Sequence, residues 1–199
     1  MTSTAASPAP RASARVRLLA AADELFYREG INNVGIDRVI EQAGVAKASL
    51  YAHFRSKEEL VRAYLQDRHE VRKATVLDHI ARHRSPRERL LAVFDSVTET
   101  RARPGYRGCA FVRANAEMPE GSSVKAVCDT ARGWQRELFR TLAAEAGARD
   151  PGLLAQQLML LYDGAVIAKQ MDGAVDAALA ARTMAADLLE ASSARGPRK

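Results

Sequence analysis

Between Lys47 and Lys57 the chain gathers small, polar and basic side chains at a spacing that suits contact with an anionic polymer. At about 100° per residue, Ala48, Tyr51 and Ala52 fall on one face of a short helix with Lys47 and Ser49 on its shoulders, while Ala46, Leu50 and Phe54 fall on the other. A helix this narrow at its N-terminal end fits a DNA major groove, about 12 Å wide. There Lys47 can donate to guanine O6 and N7, and Ala48 or Ala52 can meet a thymine methyl. A helical hairpin inside a bundle presents the same spacing, and both readings stand at this point.

The elements that must position this face are legible on either side of it. In IDRVIEQA the residues Ile36, Val39, Ile40 and Ala43 recur at helical spacing, with Asp37, Arg38, Glu41 and Gln42 on the wet side. Gly44 can take a positive φ at the end of that helix, so a three-residue turn leads into the next. Upstream, a helix beginning at Ser13 or Ala14 carries the stripe Leu18, Leu19, Ala22, Leu25 and Phe26 and stops at Gly30. Downstream, Ser56 and Glu59 form a capping box that opens a long polar helix running towards His83. Lys57 lies in its first turn, where free N–H groups and the helix dipole favour an anion, so Lys57 and the helix end make a phosphate clamp.

From Arg15 to Leu65 the runs LLAAADELFYREG and IDRVIEQAGVAKASLYAHFRSKEEL resemble the DNA-binding domain of the TetR family of transcriptional regulators, most specifically over AGVAKASLYAHFRSKEEL. The resemblance implies that Lys47, Ala48 and Ser49 face bases or nearby phosphates, that Tyr51 and His53 face the backbone, that Lys57 meets a phosphate, and that Arg38 on the preceding helix contributes less. Gly35 and Ala46 stand where the family usually has Ser or Thr to open the second and the recognition helix. Glycine costs a helix start only a few tenths of a kcal/mol, alanine about 1.

With 199 residues and 47% hydrophobic content, the chain suits one or two compact domains. No apolar run approaches the roughly 18 residues of a membrane span, and no signal sequence opens the chain, so a soluble cytoplasmic protein is expected. Two cysteines, Cys109 and Cys128, make no disulfide framework. The net charge of +6 favours an anionic partner, yet residues 1–60 hold eight basic and seven acidic side chains, so the motif and not the charge carries the DNA reading. Residues 1–12, rich in Ala, Ser, Thr and Pro, read as a disordered tail, and 193–199 as a disordered basic one. Arg11, Arg15 and Arg17 either form an arm for the minor groove or phosphates or belong to that solvated tail.

The expected architecture is all-α: a helix-turn-helix DNA-binding domain over 13–60 and a larger helical domain over 61–192. Ser85, Pro86 and Glu88 start a helix with Leu90, Leu91, Phe94, Val97 and Thr98 inward. A short apolar helix follows within YRGCAFVRANAEMPEG. Val127, Cys128, Ala131, Trp134, Leu138 and Leu142 then mark a long helix to Gly147. Asp150 and Pro151 start another through Met171, and Val175 to Ala191 the last. Ala and Gly beside Leu158, Leu161, Ala165, Ala168, Leu179 and Leu188 permit close packing of the last two helices across a two-fold axis, or closure of the monomer core. The resemblance implies a homodimer through this pair, bound to double-stranded DNA at a palindromic operator.

It also implies a small-molecule effector in a cavity of the second domain, whose filling shifts the recognition helices and releases DNA. The candidate ligand contacts are Phe94, Tyr106, Phe111, Asn115, Met118, Trp134, Leu138, Tyr162 and Asp163, with Asn115 and Asp163 read as buried polar groups able to orient a ligand. Arg101, Arg103, Arg107 and Arg113 read first as a solvated basic surface. Oxidation of Cys109 and Cys128 is a rival switch, and a helical protein that sequesters small molecules without binding DNA is a third possibility. His79 and His83 have a metal-compatible spacing, with His69 further back, but no further ligand presents itself, and they read as exposed. No phosphate loop, nucleophile elbow, HExxH or credible triad points to an enzyme, and no cofactor is expected.

Overall fold

The computed structural model describes residues 12–102, 105–173 and 176–193, and among these the regular structure is helical throughout. The expected tails and Arg11, Arg103, Pro104 and Val175 lie outside the described residues, save that Ala12 and Ser193 fall within them. The chain divides into two compact units after Tyr64.

The first unit holds α1 (Ala14–Glu29), α2 (Ile36–Ala43), α3 (Lys47–His53) and the start of α4 (Lys57–Ala81). Ser13 caps α1 by accepting from the Val16 N–H at 3.3 Å, which satisfies one of the helix's free donors. Leu18, Ala22, Leu25, Phe26, Val39, Leu50, Phe54, Leu60 and Tyr64 are buried together, with the Phe26 and Tyr64 rings edge to face at 5.7 Å. Gly44 closes α2 at φ 60°, ψ 44°, its N–H and that of Val45 returning to carbonyls of the last turn. Arg17 donates from Nη1 to the Gly44 carbonyl at 2.9 Å, so this arginine braces the turn of its own unit.

The second unit continues α4 and adds α5 (Pro86–Ala102), α6 (Ala110–Glu117), α7 (Ser123–Glu145), α8 (Pro151–Asp172) and α9 (Ala177–Ser193). Three of these starts carry a side-chain cap: Ser85 accepts from Glu88 N–H at 3.1 Å, Ser122 from Lys125 N–H at 3.3 Å, and Asp150 from Leu153 N–H at 2.9 Å ahead of Pro151 in the first turn. The core is built on Leu90, Leu91, Phe94, Phe139, Leu142, Leu154 and Leu158, with α8 packed against α7 and α9, and α5 against α9. No helix of the described residues is long and apolar enough to cross a membrane.

Several expected placements change. Leu19 is only half-buried and Thr98 is exposed, while Ala21 takes an inward position on α1. Ala46 is exposed, because α3 begins at Lys47 rather than at Val45 and leaves Ala46 outside it as the N-cap. On α7 the inward positions pass to Gln135 and Phe139, with Trp134 and Leu138 half-buried beside them. Leu158 and Ala165 lie in the core of their own unit and not on an outer face. His69 and His79 are buried, against the exposed reading. The His79 Nε2 is 2.7 Å from Glu99 Oε2, and the His69 ring packs 5.5 Å from Trp134.

Candidate nucleic-acid interface and interior cavity

The chemistry of α3 follows from which of its faces the unit consumes. Leu50 and the C-capping Phe54 are fully or almost fully buried, which fixes the rotation of the helix and leaves Lys47, Ala48, Tyr51, Ala52 and His53 exposed and Ser49 half-exposed. Tyr51 keeps 50% of its surface in solvent, which leaves its hydroxyl and ring edge available on the outward face. The outward surface is therefore small, hydroxylic and basic, the composition that base edges and phosphates accept.

Lys47 on this face and Arg38 on α2 are already held by acids. Lys47 Nζ donates to Asp37 Oδ1 at 3.0 Å, and this hydrogen bond is the main reason that the lysine's pKa is raised. Arg38 makes a two-pronged pair with Glu29, one prong at 2.9 Å, so its guanidinium is fixed on α1. The Glu29 carboxyl is held below its ordinary range first by Arg28 and then by Arg38. Lys57 opens α4 half-buried. Ser56 caps that helix, accepting from Glu59 N–H at 3.1 Å, while Glu59 Oε2 takes the Arg55 N–H at 2.8 Å. Arg15 is exposed, its guanidinium carbon 5.6 Å from the centre of the Phe54 ring.

A pocket of about 400 Å³, partly open to solvent, lies in the second unit, walled by α4, α6, α7 and α8. Phe111, Asn115, Tyr162 and Asp163 line it. Of the other expected contacts, Phe94 is 0% exposed in the core, Trp134 and Leu138 pack half-buried against that core, and Tyr106 and Met118 are half-buried away from the described lining. Asn115 is exposed rather than buried, being on the outer rim of α6. Asp163 is paired with Arg132, whose Nη1 donates at 2.9 Å, so it too is satisfied. Arg107 is exposed and Arg113 half-buried, while the side chains of Arg101 and Arg103 lie outside the described residues.

Sequence reasoning passed over three groups of this wall: Arg72 on α4, Arg132 on α7 and, above all, Gln135, which is 2% exposed. The signal was present, since Gln135 follows Cys128 and Ala131 at helical spacing and is the one uncharged polar residue on that buried stripe. Cys109 and Cys128 both reach the cavity. Burial, reinforced by Cys109, pushes the Cys128 thiol up to about 11, so it stays protonated at neutral pH and is a poor nucleophile.

Residues 18–64 match the family model described as "Bacterial regulatory proteins, tetR family". The transcriptional regulator AcuR of Cereibacter sphaeroides is 30% identical over 177 residues, covering 82% of this chain and 80% of that protein. The regulator TtgR of Pseudomonas putida is 37% identical over 68 residues, a match that spans 34% of this chain and only 30% of TtgR. Among solved structures, SCO4454, a TetR-family transcriptional regulator from Streptomyces coelicolor, superposes with a TM-score of 0.86 at 32% identity, over 91% of this chain and 96% of that one.

Proposed function

This chain belongs to the TetR family of DNA-binding transcriptional regulators, and from that premise we propose that it is a homodimeric repressor which leaves a palindromic operator when a small molecule fills the cavity of its second unit. The exposed face of α3 carries the reading: its apolar residues are spent on the core, and what remains outward is shaped and charged for a major groove. Lys47 reads guanine, Ala48 meets a thymine methyl, and Ser49, Tyr51, His53 and Lys57 hold the phosphates, with Arg38 in a lesser role.

The two-fold partner is supported by the outer face of α8 and α9. Leu153, Leu160, Ile167 and Met171 recur along α8 at seven, seven and four residues, joined by Leu179 and Met184 on α9. Leu160 and Met171 are 73% and 75% exposed, more than an isolated soluble domain leaves open in a contiguous stripe. A second copy related by a two-fold axis covers both stripes at once and sets two recognition helices for half-sites roughly 34–36 Å apart. A change in that separation of a few ångströms breaks simultaneous docking, which is how an effector in the cavity releases DNA.

Selection of duplexes from a random library by the purified protein tests this reading. An enriched palindrome occupied by two chains is expected; an unenriched pool, or enrichment of an asymmetric site bound by a single chain, contradicts it.

A further inference from the structure

Two polar groups that face the cavity have buried atoms with nothing to bond. Gln135 is 2% exposed, yet neither its Oε1 nor its Nε2 has a hydrogen-bond partner. Arg72 Nε is also buried and unpartnered, and among the described residues no carboxylate pairs with this guanidinium. Arg72 is held in place by Nη2 donating to the Ala131 carbonyl at 3.2 Å and by the Phe111 ring, 4.6 Å from the guanidinium carbon. Ala131 and Gln135 are one turn apart on the same face of α7, so the cation and the amide address the same space. The other charges on the wall neutralise each other: Lys125 binds Asp129 at 2.9 Å, and Arg132 binds Asp163.

What would satisfy this pair is narrowly defined. A primary amide offers a donor and an acceptor side by side, so its complement carries an acceptor and a donor side by side. The unpaired cation next to it selects an anion for the acceptor. With Asp129 and Asp163 spent on Lys125 and Arg132, Arg72 is the one uncompensated charge described on this wall, which suits a monoanion rather than a dianion. Met159, Tyr162, Val166 and Phe111 supply an apolar remainder.

Resting on the reading of this cavity as an effector site, we propose that its ligand is an apolar hydroxy-carboxylate. The carboxylate is held by Arg72 and by the Gln135 amide N–H, and the neighbouring hydroxyl donates to Gln135 Oε1.

Titration calorimetry of the full chain with 3-hydroxy-2-naphthoate, 2-naphthoate and 2-naphthol tests the assignment, since the three share a body and differ only in the head group. The hydroxy acid is expected to bind about tenfold tighter than 2-naphthoate and roughly 10- to 100-fold tighter than 2-naphthol. Gln135→Leu erases the first preference and Arg72→Met the second. Gln135→Glu, which keeps the side-chain shape, loses both carboxylates and retains 2-naphthol, so a folding defect is told apart from a lost contact. Equal or tighter binding of 2-naphthol overturns the assigned head group while leaving the cavity an effector site, as does failure of all three to bind. The effector reading falls separately, if no compound of a chemically diverse library both stabilises the protein and releases DNA.

Discussion

The ammonium of Lys47, at the start of α3, lies 3.0 Å from the carboxylate of Asp37 on α2, joining the two helices of the turn on their outer face. Both side chains are largely exposed, 61% and 82%, so the pair is screened by salt and adds little to the fold. Its consequence is for recognition, because Asp37 both holds the lysine and places a negative charge on the face proposed to meet DNA. Asp37→Asn is expected to raise affinity for DNA several-fold at low salt and to lose that gain as salt rises. Lys47→Ala is expected to weaken the operator about 10- to 100-fold and relax preference at one base pair, whereas Lys57→Ala weakens all sequences alike and reduces the salt slope by about one. Anisotropy titrations at two salt concentrations distinguish these patterns. If both alanine variants bind as the parent does, the assignment of the two lysines is wrong.

Leu160, 73% exposed in the middle of α8, is the residue whose replacement by a charged side chain is least tolerable to a two-fold pair and most tolerable to a monomer. Leu160→Glu is expected to leave helix content unchanged and to shift sedimentation from dimer to monomer, with loss of palindrome binding. A variant that stays dimeric places the interface elsewhere.

His69 gives the fold a pH dependence with a definite sign. Burial, aided by the charge of Arg72, lowers its pKa from the ordinary 6.5, so the folded chain keeps it neutral while the unfolded chain binds a proton. The unfolded state therefore holds more protons below pH 6.5, and the stability contributed by neutral His69 is present above that value and lost as pH falls through it. Denaturation midpoints measured between pH 7.5 and about 5 are expected to fall, and His69→Phe to flatten the slope. An unchanged slope in that variant assigns the effect to another group.

The Cys128 thiol, pushed up to about 11, makes a thiolate switch unfavourable at neutral pH. Replacing Cys109 and Cys128 by Ser is expected to leave operator binding and its release unaltered. Peroxide-driven release that the double substitution abolishes would establish the redox switch instead.

What the sequence disclosed depended on how many faces of a helix are apolar. α2 and α3 are short and one-sided, so Val39, Leu50 and Phe54 sorted themselves inward and Gly44 marked the turn. Ala46 was misplaced because an alanine fits a core face and an N-cap about equally well by pattern, and only the start of α3 decides. α8 carries apolar residues on more than one face: Leu158 and Leu160 differ by two positions, and periodicity alone cannot say that Leu158 meets its own core while Leu160 meets solvent. On α7 the large ring of Trp134 drew the inward reading from its neighbour, whereas the smaller Gln135 holds the buried position. The cavity was legible through Phe111, Tyr162 and Asp163, but Arg72 was not, since it sits on a long polar helix among residues of its own kind.

In the proposed dimer, two copies of α3 read two halves of one site. The most direct measurement compares binding of the selected palindrome, of a single half-site and of the palindrome with five base pairs inserted at its centre, each at the same two salt concentrations. Half a helical turn of insertion turns the second half-site to the opposite side of the duplex, so affinity is expected to fall to that of the single half-site, with a correspondingly smaller salt slope. Equal affinity for all three duplexes would contradict a two-fold reader and leave α3 acting alone.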